Sequence, residues 1–265
     1  MRRYFYSIIF LLAVVGLSSC KKLDYDKSFT KFVDVYFKNN AALAGNLGVK
    51  YAGKTIDWES DGKIKVVEGE GTFEFYDKRS GSVLGNKTIT VTASQVEEFI
   101  VFQPNENDPV AILDPDAQAK EPVPGQDFMK IKVANYSTDL LPYEKTDVVV
   151  IGITSAFEFV TLATIESVGQ NLDQETYHLI PTGGSDVIAW TFSFVEHGTN
   201  TKLKNAAGED YINVNSFLYP DEIQPRPEKN IYTIYFNPVV RSEDPIFLKL
   251  NDIYYDIQPT VLFAD

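Results

Sequence analysis

From Phe29 onward the apolar residues fall in short alternating or continuous runs rather than at helical spacing. Phe32-Val33-Asp34-Val35-Tyr36-Phe37 is one run, Ile64-Lys65-Val66-Val67 another, and Thr72-Phe73-Glu74-Phe75-Tyr76 a third. Lys87 to Thr92 and Glu98 to Phe102 continue the series. Each is short and rich in β-branched or aromatic side chains, which suit a pleated, half-buried surface. Asp61-Gly62, Glu70-Gly71 and Ser80-Gly81 supply turn chemistry between them. The pattern predicts an all-β domain over 29–104.

The segment from Gln103 to Gln126 interrupts the pattern with Pro104, Pro109, Pro115, Pro122 and Pro124, five of the chain's 13 prolines, among many acids. Proline removes ladder donors and stiffens the backbone, so 105–127 reads as a linker. Strand-like runs resume at Phe128-Met129-Lys130-Ile131-Lys132-Val133 and recur at Asp147 to Ile153, Ile188 to Val195, Tyr232 to Phe236 and Phe247 to Leu250. Ala156 to Val168 fits a long strand or a short helix, with its β-branched and aromatic residues favouring the strand. A second β domain is therefore expected over 128–265.

The two halves look related. Residues 72–86 align without gaps on residues 191–205 with five of fifteen positions identical, placing Phe73 and Phe75 on Phe192 and Phe194. Downstream, Ile100-Val101-Phe102-Gln103-Pro104 matches Ile234-Tyr235-Phe236-Asn237-Pro238, given an insertion around Ala206 to Pro220. Kept order argues for a tandem repeat. Residues two apart on a strand share a face, so both Phe pairs are expected inside, with Glu74 and Ser193 outside.

The N-terminus has a different character. Arg2 and Arg3 precede the apolar stretch Ile8 to Val15, and Leu17-Ser18-Ser19-Cys20 follows. This is the layout of a secretory signal. The apolar stretch falls short of the roughly 20 residues that a spanning helix needs. The residues alone also fit an ordinary signal peptide with a chance cysteine, or an uncleaved anchor. The Leu-Ser-Ser-Cys run resembles the lipobox of bacterial lipoproteins. That resemblance implies a signal peptide over 1–19, cleavage between Ser19 and Cys20, acylation of Cys20 and a lipidated tether over 20–28. Several acyl chains on one residue give stable anchoring where one would be marginal. Lys21 in place of Asp after the cysteine implies, within that family, the outer membrane.

Charge and cysteine content narrow the function. The formal charge is −13, from 24 Lys plus Arg against 37 Asp plus Glu. Removing residues 1–19 takes away two Arg and no acid, leaving 22 − 37 = −15. Nucleic acid needs a basic face, so it is excluded as a partner. Cys20 is the single cysteine, so no disulfide can form and packing must supply the stability.

Gly71 to Phe75, Ser80-Gly81 and Lys87 to Val91 are similar to a hairpin of tandem immunoglobulin-like domains of unknown function, found in secreted and lipid-anchored bacterial proteins. The resemblance implies two tandem immunoglobulin-like β-sandwich domains and no catalytic residues.

The candidate motifs resolve mostly into structure. Gly48 to Thr55 fits the phosphate-loop expression but lacks the flanking strand and helix which that chemistry requires. Ser28-Phe29-Thr30-Lys31 has the spacing of serine acyl-transfer enzymes without their partner motifs. His178 and His197 stand apart, and no thiol remains once Cys20 is acylated. Asn105 to Asp108 with Asp114 and Asp116 could suit calcium chemically, yet the loop spacing is absent, and a solvated acidic loop is the simpler reading. Trp190, beside Phe192 and Phe194, belongs to a core. Trp58, in a loop between acids, is the candidate ligand contact.

Together these features predict no catalysis, no cofactor and no metal. They predict a lipid-anchored cell-envelope protein that binds or displays a glycan, peptide or protein ligand. The alternative is a subunit or anchor of a fimbria-like surface assembly. No feature sets the oligomeric state.

Overall fold

The computed structural model describes residues 30–58, 62–92, 97–114, 116–141, 145–214, 216–223 and 228–265. The chain is all-β and forms two tandem β-sandwiches. In the first, β1 (Phe32–Ala41), β4 (Lys63–Val67), β7 (Glu97–Gln103) and β8 (Ala111–Leu113) form one sheet, in the order β4-β1-β7-β8. Facing it, β2 (Leu47–Tyr51), β3 (Lys54–Ile56), β5 (Gly69–Asp77) and β6 (Val83–Val91) run in the order β3-β2-β5-β6. The inward residues of both sheets share one core, in which Phe37 lies 5.0 Å from Phe73, 5.4 Å from Phe75 and 5.6 Å from Phe99 between ring centres.

The second sandwich repeats this plan. Its sheets are β12-β9-β14-β16-β15 and β11-β10-β13, built from β9 (Phe128–Asn135), β10 (Thr146–Thr154), β11 (Phe159–Val168), β12 (His178–Pro181), β13 (Val187–Glu196), β14 (Ile231–Arg241), β15 (Leu248–Leu250) and β16 (Ile253–Ala264). In each half the first strand pairs antiparallel with the fourth and parallel with the strand that follows the central hairpin: β1 with β4 and β7, and β9 with β12 and β14. This differs from antibody domains, where strands one and two share a sheet. The counterpart of β6 is reduced to single bridges from Trp190, Ser193 and Val195 to Leu218, Ile212 and Lys202. The insertion expected around Ala206 to Pro220 falls on this irregular edge. The ambiguous stretch after Ala156 is strand β11.

Phe73, Phe75, Phe192 and Phe194 are all buried, as their alternation predicts, while Glu74 and Ser193 are only partly covered. The downstream alignment is one residue out of step. Ile234 and Phe236 face the second core, but in β7 it is Phe99 and Val101 that face the first. Ile100 and Phe102 point the other way, into a third apolar cluster. A one-residue slip exchanges the faces of a strand. β7 conceals the slip because it is apolar on both sides.

That third cluster joins the sandwiches. Ile100 and Phe102 pack with Ala134, Leu172 and Leu262. The Phe102 ring stands edge-on to Tyr235 at 4.8 Å and to Tyr136 at 5.5 Å. The segment read as a linker over 105–127 is therefore corrected: it is a strap built into both halves. Ala111–Leu113 pairs with β7, and the one-turn helix α1 (Asp116–Ala119) carries a buried Gln118. The Gln118 amide donates to the Ile231 carbonyl at 3.3 Å and accepts from the Thr233 hydroxyl at 2.8 Å. Proline density marked irregular backbone correctly, but irregular backbone can still be packed.

Where β6 meets β8, the Val110 N–H donates to the Leu84 carbonyl at 2.8 Å. A Cβ on Gly85 would sit 2.1 Å from the Val110 oxygen, so only glycine allows these two edges to close.

The turn after β5 is held by Asp77. Its carboxylate accepts the Arg79 backbone N–H at 2.9 Å, the Arg79 Nε–H at 3.1 Å and the Ser80 hydroxyl at 3.2 Å. The Arg79 backbone bond, and then its guanidinium, hold the carboxyl below the usual aspartate range. The contribution is thus complete above the pKa of an unfolded aspartate, about 3.9, and is lost as the pH falls through the lower native value. Asp77→Asn is expected to lower stability near neutrality and to flatten its fall in acid. Urea midpoints measured between about pH 5 and pH 2 will show this. An unchanged slope would mean that the turn does not couple to acid unfolding.

Candidate functional site

A groove opens where the two sandwiches meet, in two lobes on either side of β8. The first lobe is a cleft of about 350 Å³. One wall is the turn that leaves β7, organised by the buried side chain of Gln103. Its amide donates to the Glu106 and Asp108 carbonyls at 3.2 and 2.9 Å, and its oxygen accepts the Leu43 N–H at 3.2 Å. Asn105 then donates to the Asp108 carboxylate at 2.8 Å. The opposite wall is a single 3-10 turn, Leu172–Gln174, capped by Asn171, whose side chain accepts the Asp173 N–H at 3.0 Å. The Tyr136 hydroxyl accepts the Leu172 N–H at 3.1 Å, which fixes this wall to the residue that follows β9. Phe102 and Tyr136 form the floor, and Asn105, Asp108, Asn171 and Asp173 stand around it.

The second lobe, about 400 Å³, shares Val110, Ala111 and Asp173 with the first. It adds two cations. Lys87 donates to the Ile112 carbonyl at 3.0 Å and lies 5.2 Å from the centre of the Phe99 ring. Lys132 lies 5.0 Å from the Tyr177 ring centre. Burial pulls the Lys132 ammonium below its ordinary pKa, partly opposed by Asp173, Glu121 and Glu175. Burial pushes the Tyr136 phenol up, so it stays a neutral hydroxyl. The groove thus carries carboxylates and amides around an aromatic floor in its first lobe, and in its second lobe two lysines beside Asp114 and Asp173. Such a surface can hold a ligand with many hydroxyls and apolar faces.

Ser19 and Cys20 lie outside the described residues, as does Ser28. Trp58 is half-buried, edge-on to Phe37 at 6.3 Å and Phe75 at 5.6 Å between ring centres. It packs on the first core and does not line the groove. Gly48 to Thr55 forms the β2–β3 hairpin, with Ala52 at φ 48° and Gly53 at φ 76°. Positive φ at both central residues marks a type I′ turn, which offers no phosphate cradle. The His197 Nδ1 lies 2.7 Å from an Asp147 oxygen that also accepts the Ser167 N–H. No hydroxyl joins that pair among the described hydrogen bonds, and no cluster of three metal-ligating side chains occurs among the described residues. Of the segment 105–108, read as a solvated acidic loop, Glu106 and Asn107 are exposed, while Asn105 and Asp108 line the groove. The segment's Asn/Asp density was the available signal; the opposing wall, some 65 residues later in sequence, had none.

No family model and no curated protein matches the chain. Among solved structures, it is similar to family 41 carbohydrate-binding modules from streptococcal virulence factors, described for alpha-glucan recognition. That likeness has 15% identity over 78% of this chain and 94% of the other, with a TM-score of 0.21. A second structure, of alpha-glucan binding by a streptococcal virulence factor, shows 11% identity over 77% and 92%, also with a TM-score of 0.21.

Proposed function

We propose that this chain is a lipid-anchored envelope protein whose folded part binds a saccharide, without chemistry, in the groove between its sandwiches. The observation that carries the reading is the first lobe itself. Carboxylate and amide groups from two separate walls converge over an aromatic floor. Sugar hydroxyls donate to acceptor-only carboxylates and exchange bonds with amides, while C–H faces rest on apolar surface. The anchor rests on the Leu17-Ser18-Ser19-Cys20 run, and outer-membrane placement on Lys21.

Residues 21–265 should retain particular glycans on an array. Asp108→Ala with Asn171→Ala removes one group from each wall. A hydrogen bond involving a charged group contributes about 1.5–3 kcal/mol, so the affinity should fall about tenfold or more. The thermal midpoint should fall only modestly, because the Asn171 cap and the Asn105–Asp108 bond are lost with them, a cap being worth about 0.5–2 kcal/mol, and binding is compared well below it. An array with no retained glycan, or full binding by the double variant, would overturn this assignment.

A further inference from the structure

The end of the second sandwich opposite the first lobe carries apolar side chains that the fold leaves uncovered. Phe128 opens β9, Phe157 sits at the tip of the β10–β11 hairpin, Phe159 follows it, and Ile188 lies at the start of β13; they are 40%, 76%, 49% and 41% exposed. The register brings the strand positions to the same end of the sandwich: Phe159 pairs with Ile153 and Ile153 with Ala189, so Phe159 lies on one face of that sheet and Ile188, next to Ala189, on the other. Phe157 is held at φ 60°, a left-handed conformation that a bulky residue rarely adopts, while its N–H donates to the Thr154 carbonyl and closes the turn. The hairpin therefore accepts backbone strain and still presents its ring to solvent.

The first sandwich points its own open end the same way. At the interface Phe102 lies level with Tyr136, while Leu113, the partner of Ile100, lies beside Lys132 and Phe263. β7 thus runs in the same sense as β9, and β1, parallel to β7, begins at the end where β9 begins. There Phe32, 61% exposed, pairs with Val67, 42% exposed. Just ahead of Phe32 the chain leads back to Cys20. The ten steps from Cys20 to Thr30 reach at most about 35 Å, so a lipid on Cys20 lets this end reach the bilayer.

We propose that this end is a membrane-docking face, with Phe32, Phe157, Phe159 and Ile188 resting in the interfacial layer of the bilayer that holds the acyl chains. The proposal rests on the lipid-anchor reading above. Apolar residues projecting separately from strand ends and a hairpin tip suit a soft interface better than a shaped partner. Glu158 and Asp186 flank the tip and the mature charge is −15 (22 − 37), so the matching surface is zwitterionic rather than anionic. Docked in this way, the molecule stands with its first groove lobe facing away from the membrane.

The test uses the full lipidated protein in vesicles of phosphatidylethanolamine and phosphatidylcholine. Phe157→Cys carries an environment-sensitive dye, and Asn171→Cys at the far lobe carries the same dye as control; acylation of Cys20 keeps the labelling selective. Flotation reports the anchor, and quenching by a bilayer-embedded quencher reports docking. The protein should float, with the dye at 157 blue-shifted and quenched several-fold more than at 171. Flotation with equal quenching at both sites overturns the docking face and leaves the anchor standing. Failure to float overturns the anchor and the docking face with it. A dye at 157 that becomes shielded with protein concentration, in the absence of vesicles, assigns the face to contact between copies and also overturns the proposal.

Discussion

Phe192→Ala is expected to destabilise the protein by about 3–5 kcal/mol, the cost of deleting a large buried ring whose surroundings relax only in part. The ring is 0% exposed and stands edge-on to Phe236 at 5.0 Å; Phe194 meets the same Phe236 at 5.1 Å. Phe236 thus loses one of its two aromatic partners, and neither neighbouring sheet can close the gap without breaking its register. Phe73→Ala, its repeat equivalent beside Phe37, should show a similar loss. Both losses should appear in the same urea transition. Unfolding either sandwich exposes the apolar cluster around Ile100, Phe102, Ala134 and Leu262, so the halves should melt together. Two resolved transitions, with each variant moving only one, would show that the interface does not couple them.

The second large effect should come from Arg241. Asp256 is 1% exposed and lies between the two sheets. It accepts the Tyr211 hydroxyl on one oxygen, and on the other the Ser216 hydroxyl and the Arg241 guanidinium, each at 3.4 Å. Burial, followed by the Asp256 charge, pushes the Tyr211 phenol far above its ordinary range, so it stays a neutral donor. It also accepts the Ile257 N–H at 2.9 Å. Arg241→Met removes the cation and leaves a buried carboxylate facing only hydroxyls. Breaking a buried pair costs about 3–5 kcal/mol, and the low end applies because the Arg241 side chain is 30% exposed. Adding Asp256→Asn should recover part of the loss. Denaturation of the two single variants and the double will decide it. No recovery would mean that the two side chains contribute through packing rather than as an ion pair.

Several features were legible from residue order alone. Alternation over Thr72 to Tyr76 and Thr191 to Val195 identified strands and told which Phe residues face inward, because a strand repeats every two residues and water sorts its faces. The kinship of the halves was legible for the same reason. The Leu17-Ser18-Ser19-Cys20 run, the absence of a disulfide and the acidic balance required no structure at all. Acidic neighbours suggest exposure at Trp58, whereas its half-buried ring packs against Phe37 and Phe75.

Tertiary structure alone decided the rest. β7 is apolar on both faces, so its inward side could not be read until a second sandwich was seen to cover Ile100 and Phe102. The strap looked like a linker because proline spacing reports local stiffness. What fastens it is Gln118 bonding to Ile231 and Thr233, more than a hundred residues away. The groove depends on the turn after β7 meeting the turn at Leu172. Local pattern carries short-range preferences of the backbone and of burial, whereas a site formed where two domains pack exists only once both have folded.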